Sequence, residues 1–441
     1  MQPAMKMGFL LLACLLISGC ASIDPPRGLL GAYQLEDGRT ASIRRSTDHS
    51  LRYRIYESGN SGRLYRESEY RYVSGAGFAQ REPVALVIEF ITDEQGAARE
   101  LEMRYQDGAI YRARRIGKER DTQFINDGAR LFGRLHLPDG PPPYSAVILV
   151  HGSGDSPGTE WFYNSDFLVA NGFATLTFDK RGSGRSGGSF TYDFNQLASD
   201  VVAAVDYLTS VPEVRPDGIG LAAYSQGAWV APLAASRSDS VRFVIVSYGM
   251  IESPAEEARL EMRQLLIDAD VSGTELQAAD DLIRAAVDLV ASEFESGWPR
   301  FEELKKEHRH APWRHHLDGT PVGSLMSFPK FLVNWIGKSR LPQGLPWYYD
   351  SNELLESTDI PMVWLLAEDD RSAPNAQTIA KLRSLSDAGK PYRLILFPNA
   401  DHGMLTFKAG EDGRIYNGYA PGYFQAEVEA AKALAIIQNR N

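Results

Sequence analysis

Ile219-Gly220-Leu221-Ala222-Ala223-Tyr224-Ser225-Gln226-Gly227-Ala228 is the stretch that decides the fold. A short apolar strand at 219–223 passes directly into a helix-forming run at 228–235. A serine on such a turn stands at its apex, with the hydroxyl pointing away from the sheet. Small residues on both sides let strand and helix backbones pass closely, and Gly227 is free to take strained dihedrals. Ala223 holds the position more often taken by glycine, a departure of one methyl group. Ser225 is therefore a candidate nucleophile, and the rest of the chain must supply its partners.

The surroundings have the right architecture. From Thr122 onward, strand candidates at 129–137, 146–150, 174–178, 219–223, 243–247, 362–367 and 393–397 alternate with helical stretches such as 196–209. Several are short, nearly continuous apolar runs, as in a parallel sheet covered on both faces. The pattern predicts an α/β fold with a doubly wound, mostly parallel sheet. Between Gly249 and Asp350 the alternation stops, and 252–294 is rich in Ala, Leu, Glu, Arg and Asp at helical spacing. A helical cap insertion at 250–350 is expected, dividing the core into 122–249 and 351–441. Upstream, 27–121 is alternating and turn-rich, with strands expected at 50–56, 69–73, 84–91, 101–105 and 110–116. It reads as a small N-terminal antiparallel β-domain without concentrated catalytic side chains, a spacer by default.

Composition narrows the class. A chain of 441 residues, 44% hydrophobic, buries a full core in two or three domains, and a net charge of −11 argues against a nucleic-acid partner. Lys6 precedes an apolar run at 7–17, short for a membrane span and suited to a secretory signal. Ile17-Ser18-Gly19-Cys20 closes it and resembles the bacterial lipoprotein box. That resemblance implies a signal peptide at 1–19, lipid on Cys20 and attachment to the membrane through the N-terminal lipid. Ala21 in place of aspartate implies an outer-membrane location facing the periplasm. Cys14, the other cysteine, falls inside the signal, so the mature chain is expected to hold no disulfide.

Four motifs follow strands in one order. His151-Gly152-Ser153-Gly154 comes first, then Asp179-Lys180-Arg181-Gly182-Ser183-Gly184-Arg185-Ser186, then the serine turn. Ala367-Glu368-Asp369-Asp370-Arg371-Ser372-Ala373-Pro374 and Asp401-His402-Gly403 complete the series. In these residues, from about Thr122 to the C-terminus without the insertion, the chain resembles the α/β-hydrolase superfamily, and within it bacterial esterases and serine aminopeptidases. The resemblance implies the triad Ser225, Asp370 and His402, with Asp369 in reserve because three carboxylates are adjacent. It also implies an oxyanion hole from the amides of Gln226 and Ser153. A serine hydroxyl needs a base to take its proton, and imidazole titrates in the useful range. His151 reads as a structural brace, and Asp401 as a solvated or hydrogen-bonding loop residue.

Other signals are weaker. Gly182-x-Gly184-x-x-Gly187 matches a dinucleotide pattern, but no helix opens directly behind it, so it reads as a loop at the rear of the site, with Asp179 and Arg181 as an internal ion pair or braces. His308, His310, His315 and His316 cluster in the insertion beside Arg309 and Arg314 and read as a solvated basic face. No metal and no cofactor are expected. Cap aromatics, among them Trp298, Trp313, Phe328, Phe331, Trp335 and Trp347, pack the lid or line an acyl pocket. The leading expectation is a serine hydrolase acting on carboxylic esters through an acyl-enzyme. The alternative is a peptidase holding a substrate ammonium at Glu252, Glu256 or Glu257. A non-catalytic surface lipoprotein binding through its β-domain is the third.

Overall fold

The computed structural model describes residues 27–410 and 413–437. The signal and lipidation expectations at 1–19 and Cys20, with Cys14, lie outside the described residues. No helix among the described residues is long and apolar enough to cross a membrane.

The first sheet has nine antiparallel strands between Gly31–Leu35 and Ile110–Ile116, and these two pair with each other in mid-sheet. Leu29, Tyr33, Ile43, Ile88, Leu101 and Met103 form its core. Strands Thr40–Arg45 and Leu51–Ile55 are buried along almost their whole length, because their outer face packs on the rest of the molecule. Arginines make that contact. Arg44 donates to Asp166 (2.9 and 2.7 Å) and Glu119 (2.6 Å), and lies 3.5 Å from Nδ1 of His136. Arg54 lies 3.8 Å over the Tyr163 ring and donates to the Tyr419 hydroxyl at 3.0 Å. Burial works against the Glu119 carboxylate, but the Arg44 guanidinium overcomes it and holds its pKa well below the ordinary range. Burial pushes His136 down to about 3. Removing one member of a buried pair strands the other charges, so Arg44→Met is expected to lower the free energy of unfolding by about 3–5 kcal/mol in a denaturant titration.

The change of sheet falls at Gly117, whose positive φ of 73° turns the chain, rather than near residue 121. Lys118–Asn126 and Ala129–Leu137 then form a hairpin around Asp127 and Gly128, both at positive φ as a two-residue turn of this hand requires. The exposed charges at its start blunt the sheet edge. The eight-stranded sheet continues through Ala174–Phe178, Tyr144–Val150, Val214–Tyr224, Val241–Ser247, Met362–Ala367 and Tyr392–Phe397, these six mutually parallel. Alternate residues feed opposite layers. Ala146, Ile148 and Val150 meet helices Phe194–Thr209 and Gly227–Ala235, while Val147 and Leu149 pack with Phe167, Phe424 and Val428. Each such buried aliphatic side chain contributes about 1.5–3 kcal/mol, which is why these strands read as unbroken apolar runs.

Between Val241–Ser247 and Met362–Ala367 the chain is helical, led by Pro254–Asp268, Gly273–Ala291 and Trp298–Glu307. The hydroxyl of Ser253 caps the first of these, accepting from the Glu256 amide. Leu282, Ile283, Leu289 and Phe301 give the segment its own core; Trp298 and Trp313 join it, whereas Phe331 and Trp335 face solvent.

Candidate active site

Ser225 sits between strand Val214–Tyr224 and helix Gly227–Ala235 with φ at +53°. A non-glycine residue there carries roughly 1–3 kcal/mol of strain. Close packing enforces the turn. A Cβ on Gly227 would lie 2.9 Å from the Val150 carbonyl oxygen, and one on Gly249 would meet Ala228 Cβ at 2.3 Å. The extra methyl of Ala223 is accommodated, 3.2 Å from where that Gly227 Cβ would stand. The Ser225 amide donates to Ser247 O (3.1 Å) and its carbonyl accepts from the Ala228 amide (2.8 Å), so the turn is tied to the neighbouring strand and to its helix.

His402 arrives from the turn after Tyr392–Phe397. Its Nε2 is 3.1 Å from Ser225 Oγ, and its Nδ1 is 2.9 and 3.2 Å from the two carboxylate oxygens of Asp370. The Asp370 side chain is fully buried, and its Oδ1 also accepts from the amides of Ser372 (3.0 Å) and Ala373 (2.8 Å). Glu368 and Asp369 are exposed, so Asp370 is the carboxylate of the three that reaches the imidazole. Asp401 is buried, not solvated. It accepts from the Arg371 and His402 amides and the Tyr416 hydroxyl and pairs with Arg414 at 2.7 Å, which fixes the histidine loop to the acid loop. The Tyr248 ring stands edge-on to the imidazole at 5.1 Å.

Burial opposes charge on His402, but Asp370 and, more weakly, Glu257 outweigh it and raise its pKa to about 9. Glu257 and Glu261 lie four residues apart on helix Pro254–Asp268, one turn of the same face. Burial, with nearby carboxylates, pushes Glu257 up to about 7 and Glu261 up to about 8, while His402 pulls both back. Of the other two glutamates singled out by sequence, Glu256 is held by Arg259 and Glu252 accepts from Thr378. Glu261 escaped the sequence reading, although its spacing from Glu257 was there to be seen. The same helix is tied to the acid loop by Asp268 and Arg371 at 2.6 Å.

Behind the serine, Gln226 is buried and Ser153 is exposed at the loop tip. The backbone at Gly152 abuts the nucleophile turn: a Cβ there would lie 3.3 Å from Ser225 Cβ. His151 is buried, with Nε2 2.9 Å from Phe178 O; burial and the Lys180 charge push it down to about 3, as suits a neutral brace. Asp179 and Arg181 do not pair with each other. Asp179 accepts from Thr159 and the Arg185 amide, while Arg181 clasps Asp200 at 2.8 and 2.6 Å. Among the described residues, the group with metal-ligand spacing is Glu119, His136 and Asp166, remote from the insertion histidines, and the Arg44 guanidinium already bonds its carboxylates.

A model of the alpha/beta hydrolase family matches residues 147–412, more than half of the chain, a span that includes Ser225, Asp370 and His402. The chain belongs to the alpha/beta hydrolase family. This hydrolase-family chain is 30% identical over 138 residues to the 2,6-dihydropseudooxynicotine hydrolase of Paenarthrobacter nicotinovorans, a stretch covering 30% of this chain and 35% of that protein. The match thus spans about a third of the curated relative's length. Similar solved structures include an esterase from Pyrococcus furiosus (16% identity, TM-score 0.44, 74% of this chain and 91% of that one). Another is an acylaminoacyl peptidase from Pyrococcus horikoshii (12% identity, TM-score 0.42, 90% of this chain and 56% of that one). None of the three lends this family member a substrate.

Proposed function

We propose that this chain is a serine hydrolase that cleaves carboxylic esters through an acyl-enzyme. One observation carries the reading: Ser225 Oγ, the two nitrogens of His402 and the Asp370 carboxylate form a continuous hydrogen-bonded line. In this mechanism Nε2 of His402 removes the Ser225 proton as Oγ attacks the ester carbonyl, and Asp370 stabilises the imidazolium through Nδ1–H. The oxyanion is received by the amides of Gln226, at a helix start, and Ser153. The imidazolium then protonates the departing alkoxide. Water, activated by the same imidazole, attacks the acyl-serine and releases the acid.

A second reading is favoured by Glu257 and Glu261, two carboxylates within electrostatic reach of the imidazole and without an ion-pair partner among the described residues. A substrate bearing an ammonium beside its scissile carbonyl would supply that partner, making the enzyme an aminopeptidase. Parallel turnover of p-nitrophenyl acyl esters and aminoacyl-p-nitroanilides separates the two. Faster ester turnover without a free amine supports the esterase, and dependence on a free amine supports the peptidase. Loss of neither substrate's turnover in Ser225→Ala rejects both.

The charge balance yields a pH dependence. His402 works as a base only when neutral, and its pKa is raised to about 9, so kcat/KM for a neutral ester is expected to rise with pH through that alkaline range. Glu257→Gln removes a charge that favours the imidazolium, so the rising limb moves to lower pH. A pH–rate profile of both proteins reads the shift, and an unmoved limb contradicts the assignment.

A further inference from the structure

Lys180 is buried beside the candidate oxyanion hole, 2% exposed, in the second position of the loop after Ala174–Phe178. Its Nζ donates to the carbonyl oxygens of Gly152 (2.6 Å) and Gly154 (3.1 Å) and to Oε1 of Gln226 (3.0 Å). The rings of Phe190 and Tyr192 lie 5.6 and 5.9 Å from the same nitrogen. No carboxylate bonds it among the described residues, and Asp155 acts on it only as a nearby charge. Burial pushes its pKa down to about 7. Against this, three acceptors and no donor surround Nζ, one for each ammonium proton, and a neutral amine would leave one unpaired. The hydrogen-bond arrangement is that of an ammonium.

A lone buried charge is a costly way to brace a loop, so its acceptors are informative. The Gly152 carbonyl and the Ser153 N–H belong to one peptide unit, and in a trans peptide the two bonds point in opposite directions. Holding Gly152 O at 2.6 Å from Nζ therefore aims the Ser153 N–H away from the lysine. The backbone at Gly152 lies against Ser225, which places that donor's loop beside the nucleophile turn. Charge on the carbonyl side also polarises the peptide and strengthens its N–H as a donor. The third bond holds the side chain of Gln226, whose own amide is the other donor.

We propose that Lys180 is a positioning residue that clamps the two oxyanion donors, the amides of Ser153 and Gln226, in the geometry that receives the tetrahedral intermediate. The assignment rests on Ser225 being the nucleophile. Lys180 touches no substrate and acts through the peptide units it holds.

The test compares Lys180→Met and Lys180→Arg with the parent on one p-nitrophenyl ester. Lys180→Met is expected to lose on the order of 10²-fold in kcat with KM little changed. Its affinity for a boronic acid mimic of the intermediate should fall in parallel, and Lys180→Arg should recover part of both. A folded Lys180→Met at the parent's kcat overturns the proposal, as does a kcat loss that leaves boronate affinity intact. Should Lys180→Met fail to fold, Gln226→Met removes one acceptor, keeps the amide and carries the test: a smaller kcat loss supports the clamp and an unchanged kcat overturns it. Ser225→Ala on the same ester distinguishes the failures. Turnover by Ser225→Ala rejects the active-site reading itself. An inactive Ser225→Ala beside a fully active Lys180→Met rejects the clamp alone.

Discussion

Ser225→Ala is expected to lose on the order of 10⁶-fold in kcat on a p-nitrophenyl ester, with substrate binding and unfolding little changed. The size follows from the loss of the acyl-enzyme route. Without Oγ, His402 has no nucleophile at 3.1 Å to deprotonate, and only the oxyanion donors and substrate binding continue to act. Stability should hardly respond, because alanine occupies the same left-handed turn at about the same strain and the hydroxyl makes no contact essential to packing. Steady-state kinetics on scrupulously purified protein is the measurement. A loss smaller than about tenfold would mean that turnover runs through another group.

The second large effect belongs to the acid. Asp370→Asn should lower kcat by roughly 10⁴-fold while leaving KM near the parent's value. As a carboxylate, Asp370 accepts only, so it holds the proton on Nδ1 and leaves the Nε2 lone pair free to take the serine proton. An asparagine that presents its NH₂ to Nδ1 stabilises the other tautomer, with the proton on Nε2 where the base is needed. The same change removes the charge that raises the imidazole pKa, so the residual activity should titrate at lower pH than the parent. Asp369→Asn is the control. Its side chain is exposed away from the imidazole, and kcat should stay near the parent's. Similar losses in both variants would contradict the geometry.

The parallel strands and the residues of the line were legible for one physical reason. Strands covered on both faces must be apolar throughout, and turns that carry reacting groups need small residues at fixed offsets; both leave compact marks in sequence. The choice of Asp370 over Asp369 rested on the family resemblance alone, because adjacent carboxylates differ only in which one the turn directs inward. The strands at Gly31–Leu35 and Thr40–Arg45 went unseen: in the second of them Arg44 is buried against Glu119 and Asp166, carboxylates on two other elements, so charge falls where an alternating pattern calls for a hydrocarbon. Lys118–Asn126 was hidden likewise, since an edge strand guards itself with charges that read as a loop. Lys180 stood in a motif already marked, but two of its three acceptors are backbone carbonyls remote in the chain, and no residue type announces them. Asp179 and Arg181 were coupled in reading because they are close in sequence, whereas their partners, Thr159 and Asp200, come from other elements.

A fluorophosphonate, followed by peptide mapping, bears most directly on the central claim, since it reports a nucleophilic serine whatever the natural substrate is. One adduct per chain on Ser225, abolished by heat denaturation and strongly slowed in His402→Ala, is the predicted result. An unlabelled Ser225 in folded protein, or equal labelling of Ser225→Ala at another residue, would contradict it.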